Sequence, residues 1–376
     1  MDREPTGLAR RHLFKAGLGV ATVSVFGSGI AAAAASETAA DGELPWIISC
    51  DEWGARPPDG TPSQSQIATN KIIVHHMAFP NVTDYSREQA VKLARDCQDL
   101  HMDRNGWMDT GQHFTVSRGG YVMEGRHGSL AALEQAEHQI ISAHCPGENG
   151  RSIGIECEGT YITEIPTEAL FDSVTKLCVA ICQQYGLHAW DVFGHWDFRN
   201  TQCPGIAYYR EFPGLRRRIA AGLGEPASAA PKRRWPDIWR FVGGPVVKVT
   251  QYLLNAHGHQ LATDGVFGPK TVAAVQDWQA SHDIPVDVDA TMTTQTWETL
   301  APQLDGDSTG AAVTAVQYIL GHKGYDVTET GVYDEATVQA VREVQRLHGI
   351  APDGDVSLET WCVITGGIVR DSFSDE

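Results

Sequence analysis

The sequence predicts an α/β protein in which a mixed β-sheet packed with helices is followed by two small all-α domains of three helices each. Two observations lead to this prediction. Between about residues 45 and 223, short apolar runs rich in β-branched residues alternate with segments of helical periodicity. From residue 237 to about residue 370 the chain repeats itself, with matching residues 66 positions apart.

The strands of the first block are indicated by short apolar runs. Residues 71–76 form a continuous β-branched run that is typical of a buried strand. Residues 113–117 and 121–123 flank Arg118-Gly119-Gly120, a pattern typical of a β-hairpin. Residues 152–159 alternate between apolar and other side chains, and a further short strand is predicted over residues 191–193.

Two helices are predicted in the same block, over residues 87–102 and 167–185, because apolar residues recur on one face of each. Successive side chains of a strand point to opposite faces of its sheet. The alternating strand therefore has an apolar face and an opposite face that is free to line a site. The first face carries Ile153, Ile155 and Cys157, and the second carries Gly154, Glu156 and Glu158.

The repeated part of the chain is predicted to be two domains, over residues 237–302 and 303–370. Residues 251–254 match residues 317–320, and each copy ends near a tryptophan, Trp297 or Trp361. A period this long indicates two small domains and not a solenoid. Residues 224–236, rich in alanine, proline and basic residues, are predicted to be a linker between the first block, 45–223, and the repeats.

The first 36 residues predict a twin-arginine signal peptide. Arg10-Arg11 precedes an uncharged apolar stretch over residues 16–35 that ends in five alanines, which suits a signal peptidase. An uncleaved membrane anchor is the alternative, since the stretch is nearly long enough to span a bilayer. Its glycine and alanine content favours cleavage. We expect a secreted or cell-wall protein, with no stable membrane span after cleavage.

The net charge excludes one class of partner. The chain carries a formal charge of -18 at pH 7. No basic stripe is available to replace the counterions of a nucleic acid, so we expect no nucleic-acid partner.

Three residues of the first block have the composition of a catalytic zinc site. His75 ends an apolar run, His195 follows another after a glycine, and Cys203 lies eight residues further on. A catalytic zinc ion takes three protein ligands and keeps one position open for water. The alternative is a pair of core histidines and a buried or disulfide-bonded cysteine, and spacing alone does not separate the two.

Residues 46–215 resemble the zinc amidase fold shared by peptidoglycan-recognition proteins, phage amidases and bacterial N-acetylmuramoyl-L-alanine amidases. Five motifs occur in the order that the family shows. They are Trp53-Gly54-Ala55-Arg56, Val74-His75-His76-Met77-Ala78, Ala143-His144, Ser152-Ile153-Gly154-Ile155-Glu156, and Gly194-His195-Trp196-Asp197 with Thr201-Gln202-Cys203-Pro204-Gly205.

The resemblance implies a peptidoglycan-recognition-protein-like amidase fold and a Zn²⁺ ion held by His75, His195 and Cys203. Receptors of this family that lack catalytic activity typically lack the cysteine ligand. Its presence here favours an enzyme.

The resemblance also suggests roles for four further residues. One branch of the family has a tyrosine where this chain has Gln112, and an amide cannot act as a general base. Another branch uses the glutamate that matches Glu156, which we expect to be the catalytic proton carrier. The alternative for Glu156 is a solvated or ion-paired strand residue. Thr201 matches a family residue that can donate to an oxyanion, or it is a turn residue. His144 and Gln112 are expected at the substrate groove, with plain packing as the alternative for His144.

The two repeats resemble the three-helix peptidoglycan-binding domain. Residues 264–271 fit its D-G-x-F-G-x-x-T signature, while the second copy lacks the Asp-Gly pair and has Thr330 before Gly331. The expected function is thus hydrolysis of the amide between N-acetylmuramic acid and L-alanine by a chain that binds peptidoglycan. The alternatives are a receptor with a degenerate site, or a zinc peptidase that cuts within the stem peptide.

Overall fold

A six-stranded mixed sheet forms the centre of the first block. The computed structural model of the chain describes residues 44–136 and 138–374, so the predicted signal peptide lies outside the described residues. The strands of this sheet are β1 (Ile47–Ile48), β2 (Ile72–His76), β3 (Phe114–Val116), β4 (Val122–Glu124), β5 (Ile153–Cys157) and β6 (Val192–Gly194).

The sheet has the order β1-β4-β3-β5-β2-β6. The β3–β4 hairpin is antiparallel, and the other neighbouring pairs are parallel. The helices of the block are α1 (Cys50–Trp53), α2 (Arg87–Asp99), α3 (Ser129–Glu134), α4 (Glu168–Tyr185), α5 (Ile206–Arg210) and α6 (Phe212–Leu223). A π-helical turn continues α2 over Leu100–Arg104, and 3-10 turns span Ala189–Asp191 and His195–Asp197.

The two long helices begin where the sequence predicts, and each starts with a side-chain cap. The hydroxyl oxygen of Ser86 accepts a hydrogen bond from the backbone N–H of Gln89 at the start of α2 (3.2 Å). Thr167 caps α4 in the same way by accepting from the N–H of Leu170 (3.2 Å). Each cap satisfies a backbone donor that a helix cannot pair by itself.

The apolar face of β5 packs into the main core of the block, as the alternation predicts. Ile153, Ile155 and Cys157 are all at most 1% exposed and share one cluster with the inward residues of α4 and α6. The mixed sheet with packed helices, followed by two helical domains, confirms the predicted fold class.

Each repeat folds as three helices. The first contains α7 (Pro245–Ala256), α8 (Pro269–Ser281) and α9 (Thr294–Leu300), after β7 (Arg233–Arg234) and a 3-10 turn over Ala227–Ala229. The second contains α10 (Ala311–His322), α11 (Glu335–Leu347) and α12 (Leu358–Ile364), followed by β8 (Ile368–Val369) and a 3-10 turn over Arg370–Phe373.

A buried glutamine organises each repeat in the same way. The amide of Gln251 donates to the carbonyl of Val266 (3.0 Å) and accepts from the N–H of Gly265 (2.9 Å). Gln317 makes the equivalent bonds to Val332 (2.9 Å) and Gly331 (2.9 Å). The duplication seen in the sequence is therefore also a duplication of the polar core.

The segment predicted as a linker is packed against its neighbours. β7 pairs antiparallel with β8 of the second repeat. Trp235 is 1% exposed and stacks on Trp297 of the first repeat, with ring centroids 5.2 Å apart. Because this segment buries a large aromatic side chain, it does not have the character of a free tether. Among the residues that the structure describes, no helix is long and apolar enough to cross a membrane.

Candidate metal site

The site is built at one end of the central strands. His75 lies on β2 and is 1% exposed. The parallel register of β2 and β5 pairs His75 with Glu156, and β3 continues the row with Thr115. Neighbouring residues of parallel strands project from the same face, so these three residues share one side of the sheet.

His195 and Cys203 reach the same place from the segment that follows β6. His195 begins a 3-10 turn directly after Gly194, the last residue of β6. The backbone N–H of Trp196 donates to the carbonyl of Cys203 (3.0 Å), which closes the loop between the two residues. The sulfur of Cys203 accepts from the backbone N–H of His76 (3.2 Å).

The side chains of His75, His195 and Cys203 converge as the sequence predicts. One potential ligand atom from each lies within 4.8 Å of the others. The Nε2 atom of His195 is buried without a hydrogen-bond partner. Imidazole nitrogens and a thiolate are the ligands that zinc prefers, so the donor set and the partnerless nitrogen fit a metal ion.

The protonation states of the histidines suit this role. Burial, together with the neighbouring histidines, lowers the pKa of His75 well below its ordinary value. Burial and the nearby Arg199 lower the pKa of His195 to about 4. Both rings are thus neutral at pH 7, as metal ligands must be. Burial raises the pKa of the Cys203 thiol, and a cation at this position would favour the thiolate instead.

Glu156 is the carboxylate beside this cluster. Its Oε1 atom lies 3.7 Å from Nδ1 of His75, and its side chain is 18% exposed. The second oxygen, Oε2, is buried without a hydrogen-bond partner. Burial raises the pKa of Glu156 to about 8. A carboxyl group poised between its two protonation states near neutral pH can both accept and donate a proton.

His144 touches the cluster directly, a contact that its position in the sequence does not reveal. Its Nδ1 atom lies 2.8 Å from Nε2 of His75, and its Nε2 atom lies 3.3 Å from the hydroxyl of Ser152. A side-chain β-carbon at Gly154 would approach the His144 ring to 2.4 Å, so the glycine on β5 leaves the space that this imidazole occupies.

Two other predicted site residues, Gln112 and Thr201, form hydrogen bonds within the site. The amide of Gln112 donates to the hydroxyl of Thr115 (2.7 Å) and to the sulfur of Cys97 (3.4 Å). The hydroxyl of Thr201 accepts from the backbone N–H of Cys203 (3.1 Å), which is a turn role. That bond uses an oxygen lone pair and leaves the hydroxyl proton of Thr201 free to donate.

Glu158 differs from Glu156 in its hydrogen bonding. It follows the end of β5 and is 1% exposed. Its carboxylate accepts from the backbone N–H of Arg118 (2.7 Å) and from the amide of Gln89 (3.0 Å). The carboxylate of Glu158 thus secures the β3–β4 turn.

Asp197 and Tyr209 support the site, although no sequence pattern indicates this role. Asp197 accepts from the backbone N–H of Gly194 (2.9 Å) and from the hydroxyl of Tyr209 (2.8 Å). Asp197 lies within the Gly194-His195-Trp196-Asp197 motif, whose pattern does not give its partners.

Three stretches of the chain match known families. Residues 64–206 match the N-acetylmuramoyl-L-alanine amidase family. Residues 243–300 and 309–364 each match a family of peptidoglycan binding domains. The first match contains the whole candidate metal site, and the other two correspond to the repeats.

Individual relatives agree with the first match. Peptidoglycan-recognition protein LB of Drosophila melanogaster is 31% identical over 166 residues, which cover 44% of this chain and 66% of that protein. The N-acetylmuramoyl-L-alanine amidase of Sus scrofa is 31% identical over 191 residues, 49% of this chain and 30% of that protein. The solved structure of Drosophila PGRP-LB is 31% identical, with a TM-score of 0.39, and the match covers 44% of this chain and 91% of that one.

The chain thus spans less than a third of the Sus scrofa relative and 66% of the Drosophila one. The family match over residues 64–206 contains four of the five motifs, and Trp53-Gly54-Ala55-Arg56 lies before it. The chain therefore belongs to the N-acetylmuramoyl-L-alanine amidase family through residues 64–206, and it carries two peptidoglycan binding domains behind them.

Proposed function

We propose that this protein is an exported, zinc-dependent N-acetylmuramoyl-L-alanine amidase. Its substrate would be peptidoglycan, cut at the amide between the lactyl group of N-acetylmuramic acid and L-alanine. The observation that carries the proposal is the convergence of His75, His195 and Cys203 within 4.8 Å, beside the partnerless carboxylate oxygen of Glu156. Export is supported by the twin-arginine pattern at Arg10-Arg11.

The reaction replaces a C–N bond with a C–O bond. When bound, a zinc ion would supply Lewis-acid polarisation of the carbonyl and acidify a water molecule. Glu156 takes the proton of the attacking water and passes it to the departing amine of L-alanine. Its buried position favours this transfer, because a desolvated carboxylate is more basic than a solvated one.

Other residues of the site have supporting roles in this proposal. The hydroxyl of Thr201 donates a hydrogen bond to the oxygen that becomes negative when the carbonyl is attacked. His144, hydrogen-bonded to His75, orients that ring toward the ion, as outer partners of ligating histidines usually do. Gln112 is 1% exposed and lies next to the Glu156 row, where its amide donates to Thr115.

The repeats would direct the enzyme to the wall. In the first repeat, Asp264, Val266 and Lys270 line a shallow groove next to the signature loop. Val266 is 60% exposed, which leaves an apolar side chain available to a ligand. The mature chain would accordingly act outside the cytoplasm, at or near the cell wall.

Two alternative functions can be distinguished from the proposed one by what is released from the wall. A wall receptor without activity is favoured by Gln112 in place of a tyrosine, but it gives no reason for the cysteine among the converging ligand atoms. A zinc peptidase would use the same ion on a different amide. The test is to incubate the purified chain with cell walls, measure zinc stoichiometry, and identify released fragments by mass spectrometry.

Free stem peptides that begin with L-alanine, together with bare glycan strands, are the expected products. Fragments cut within the stem peptide would favour the peptidase. Wall binding without any new amine termini would favour the receptor.

A further inference from the structure

We propose that the two C-terminal repeats hold the loop from His195 to Cys203 in place, with Gly244, Lys323 and Gly366 as positioning residues for the metal site. This loop carries two of the three candidate ligands. The inference rests on the proposed zinc site, and it assigns the repeats a second task besides binding the wall.

The first repeat touches the backbone of the loop. Gly244, the residue before α7, has a φ of 108°, and a β-carbon there would come within 2.5 Å of the backbone of Arg199 and Asn200. The neighbouring N–H of Gly243 donates to the carbonyl of Phe198 (3.2 Å). The first helix of the repeat therefore begins directly on the loop between His195 and Cys203.

The second repeat reaches the other end of the loop through a chain of hydrogen bonds. Lys323, which follows α10 and is 7% exposed, donates to the hydroxyl of Tyr209 (3.3 Å). Tyr209 donates to Asp197 (2.8 Å), and Asp197 accepts from the N–H of Gly194, the residue before His195 (2.9 Å). The equivalent position of the first repeat is His257, which is exposed, so only one copy has this contact.

Gly366 of the second repeat lies directly against the side chain of Asp197. It follows α12 with a φ of 96°, and a β-carbon there would lie 2.3 Å from Oδ1 of Asp197. This approach leaves no room for a side chain, so the second repeat and the ligand loop are in direct van der Waals contact.

The apolar side of the loop is covered by the repeats as well. Phe198 is fully buried and belongs to the same cluster as Trp235, Ile238 and the cores of both repeats. The ring of Phe198 also packs on Phe193 of β6, with centroids 5.5 Å apart, so the repeats extend an apolar cluster that begins in the first block.

Three glycine substitutions in the full chain separate this role from general stability. Gly244→Ala and Gly366→Ala add a methyl group against the loop. Gly310→Ala is the matched control, because Gly310 precedes α10 just as Gly244 precedes α7, has a φ of 98°, and has no atom within 4 Å of the added carbon. All three variants suffer the backbone strain of a positive φ, and only the first two press on the loop.

The measurements are zinc affinity, by competition with a chromophoric chelator, and hydrogen exchange of the loop amides in metal-free protein. We expect Gly244→Ala and Gly366→Ala to weaken zinc binding by about 10- to 100-fold and Gly310→Ala by no more than about twofold. Loop exchange should accelerate in the first two variants alone.

If the two glycine variants do not fold, Lys323→Met and its repeat counterpart His257→Met provide the same comparison. Equal zinc affinity and equal loop exchange across test and control variants would overturn the inference. A wild-type chain that binds no zinc would instead overturn the proposed function, and the hydrogen-exchange comparison in metal-free protein would still decide whether the repeats hold the loop.

Discussion

The Oε1 atom of Glu156 lies 3.7 Å from the Nδ1 atom of His75, its neighbour on the adjacent parallel strand. The other carboxylate oxygen of Glu156 has no hydrogen-bond partner although it is buried. A carboxylate so placed contributes little to folding, because its burial costs free energy that no partner offsets. Its position therefore favours a role in the reaction.

Glu156→Gln removes the proton-accepting group and keeps the size of the side chain. Turnover of soluble muropeptides should fall by about 10²–10⁴, the usual loss when general acid–base help is removed. Zinc content should stay stoichiometric, and the melting temperature should stay the same or rise, because a neutral amide is cheaper to bury. Steady-state kinetics, metal analysis and thermal melts measure these effects.

Glu158→Gln is the control, two residues further along the chain. Its carboxylate accepts two hydrogen bonds, so the substitution should lower stability by about 1–3 kcal/mol and leave the chemical step largely intact. Near-normal turnover in the Glu156 variant, together with loss of turnover in a folded Glu158 variant, would show that the wrong carboxylate has been assigned.

Removal of any single ligand should remove the metal. His75→Ala, His195→Ala and Cys203→Ser should each lose zinc and activity, and a chelator should inactivate the native enzyme until zinc is restored. His101→Ala is a matched control, because its ring stacks on Trp107 and its Nδ1 atom accepts from the N–H of Gly111 (3.0 Å). That variant should retain stoichiometric zinc by atomic absorption, and full activity of a metal-free wild type would contradict the zinc assignment.

A buried ion pair at the start of β2 should be essential for stability. The ammonium of Lys71 lies 2.7 Å from Glu148, and both side chains are 0% exposed. Glu148 also accepts from the indole of Trp239 (2.9 Å), which ties it to the start of the first repeat. Lys71→Met should cost about 3–5 kcal/mol in urea unfolding, because it removes the buried cation and leaves Glu148 only the partly exposed Arg151, 3.9 Å away.

The double variant Lys71→Met/Glu148→Gln tests the cause of that loss. It should recover part of the stability, since it no longer buries an unpaired charge. A Lys71→Met variant as stable as the wild type, or a double variant that is simply additive, would mean that the two groups do not depend on each other.

The ion pair of Asp109 and His127 should make stability depend on pH. Burial raises the pKa of Asp109, but hydrogen bonds from His127 and Thr110 outweigh it and keep the pKa below 3.8. The hydrogen bond to Asp109 raises the pKa of His127 above 6.5. The contribution of His127 is therefore complete below pH 6.5 and is lost as the pH rises through its folded pKa. The contribution of Asp109 is complete above pH 3.8 and is lost as the pH falls through its folded pKa.

His127→Gln tests the upper limit of this window. The wild type should exceed the variant in stability by about 0.5–1 kcal/mol more at about pH 5.5 than at about pH 8, measured by urea unfolding at both values. A stability difference that does not change with pH would rule out the charged state of His127 as its source.

The sequence by itself determined the elements that depend on local pattern. Alternation over residues 152–159 predicted which face of β5 is buried, because strand side chains point to opposite sides in turn. The 66-residue offset predicted two domains of three helices, and the structure repeats even the hydrogen bonds of Gln251 at Gln317. The family motifs identify His75, His195 and Cys203 as candidate ligands, but a motif does not give the distances between them.

Only the tertiary structure decided how those elements meet. The contact of His144 with His75, the partners of Glu158, and the packing of Gly244, Lys323 and Gly366 against the ligand loop join residues far apart in the chain. None of these contacts has a period or a spacing that a sequence pattern can express, because each depends on how distant segments pack together in space. Residues 224–236 show the same limit. Their proline, alanine and arginine content is typical of a linker, but the burial of Trp235 against Trp297 depends on where the first repeat lies.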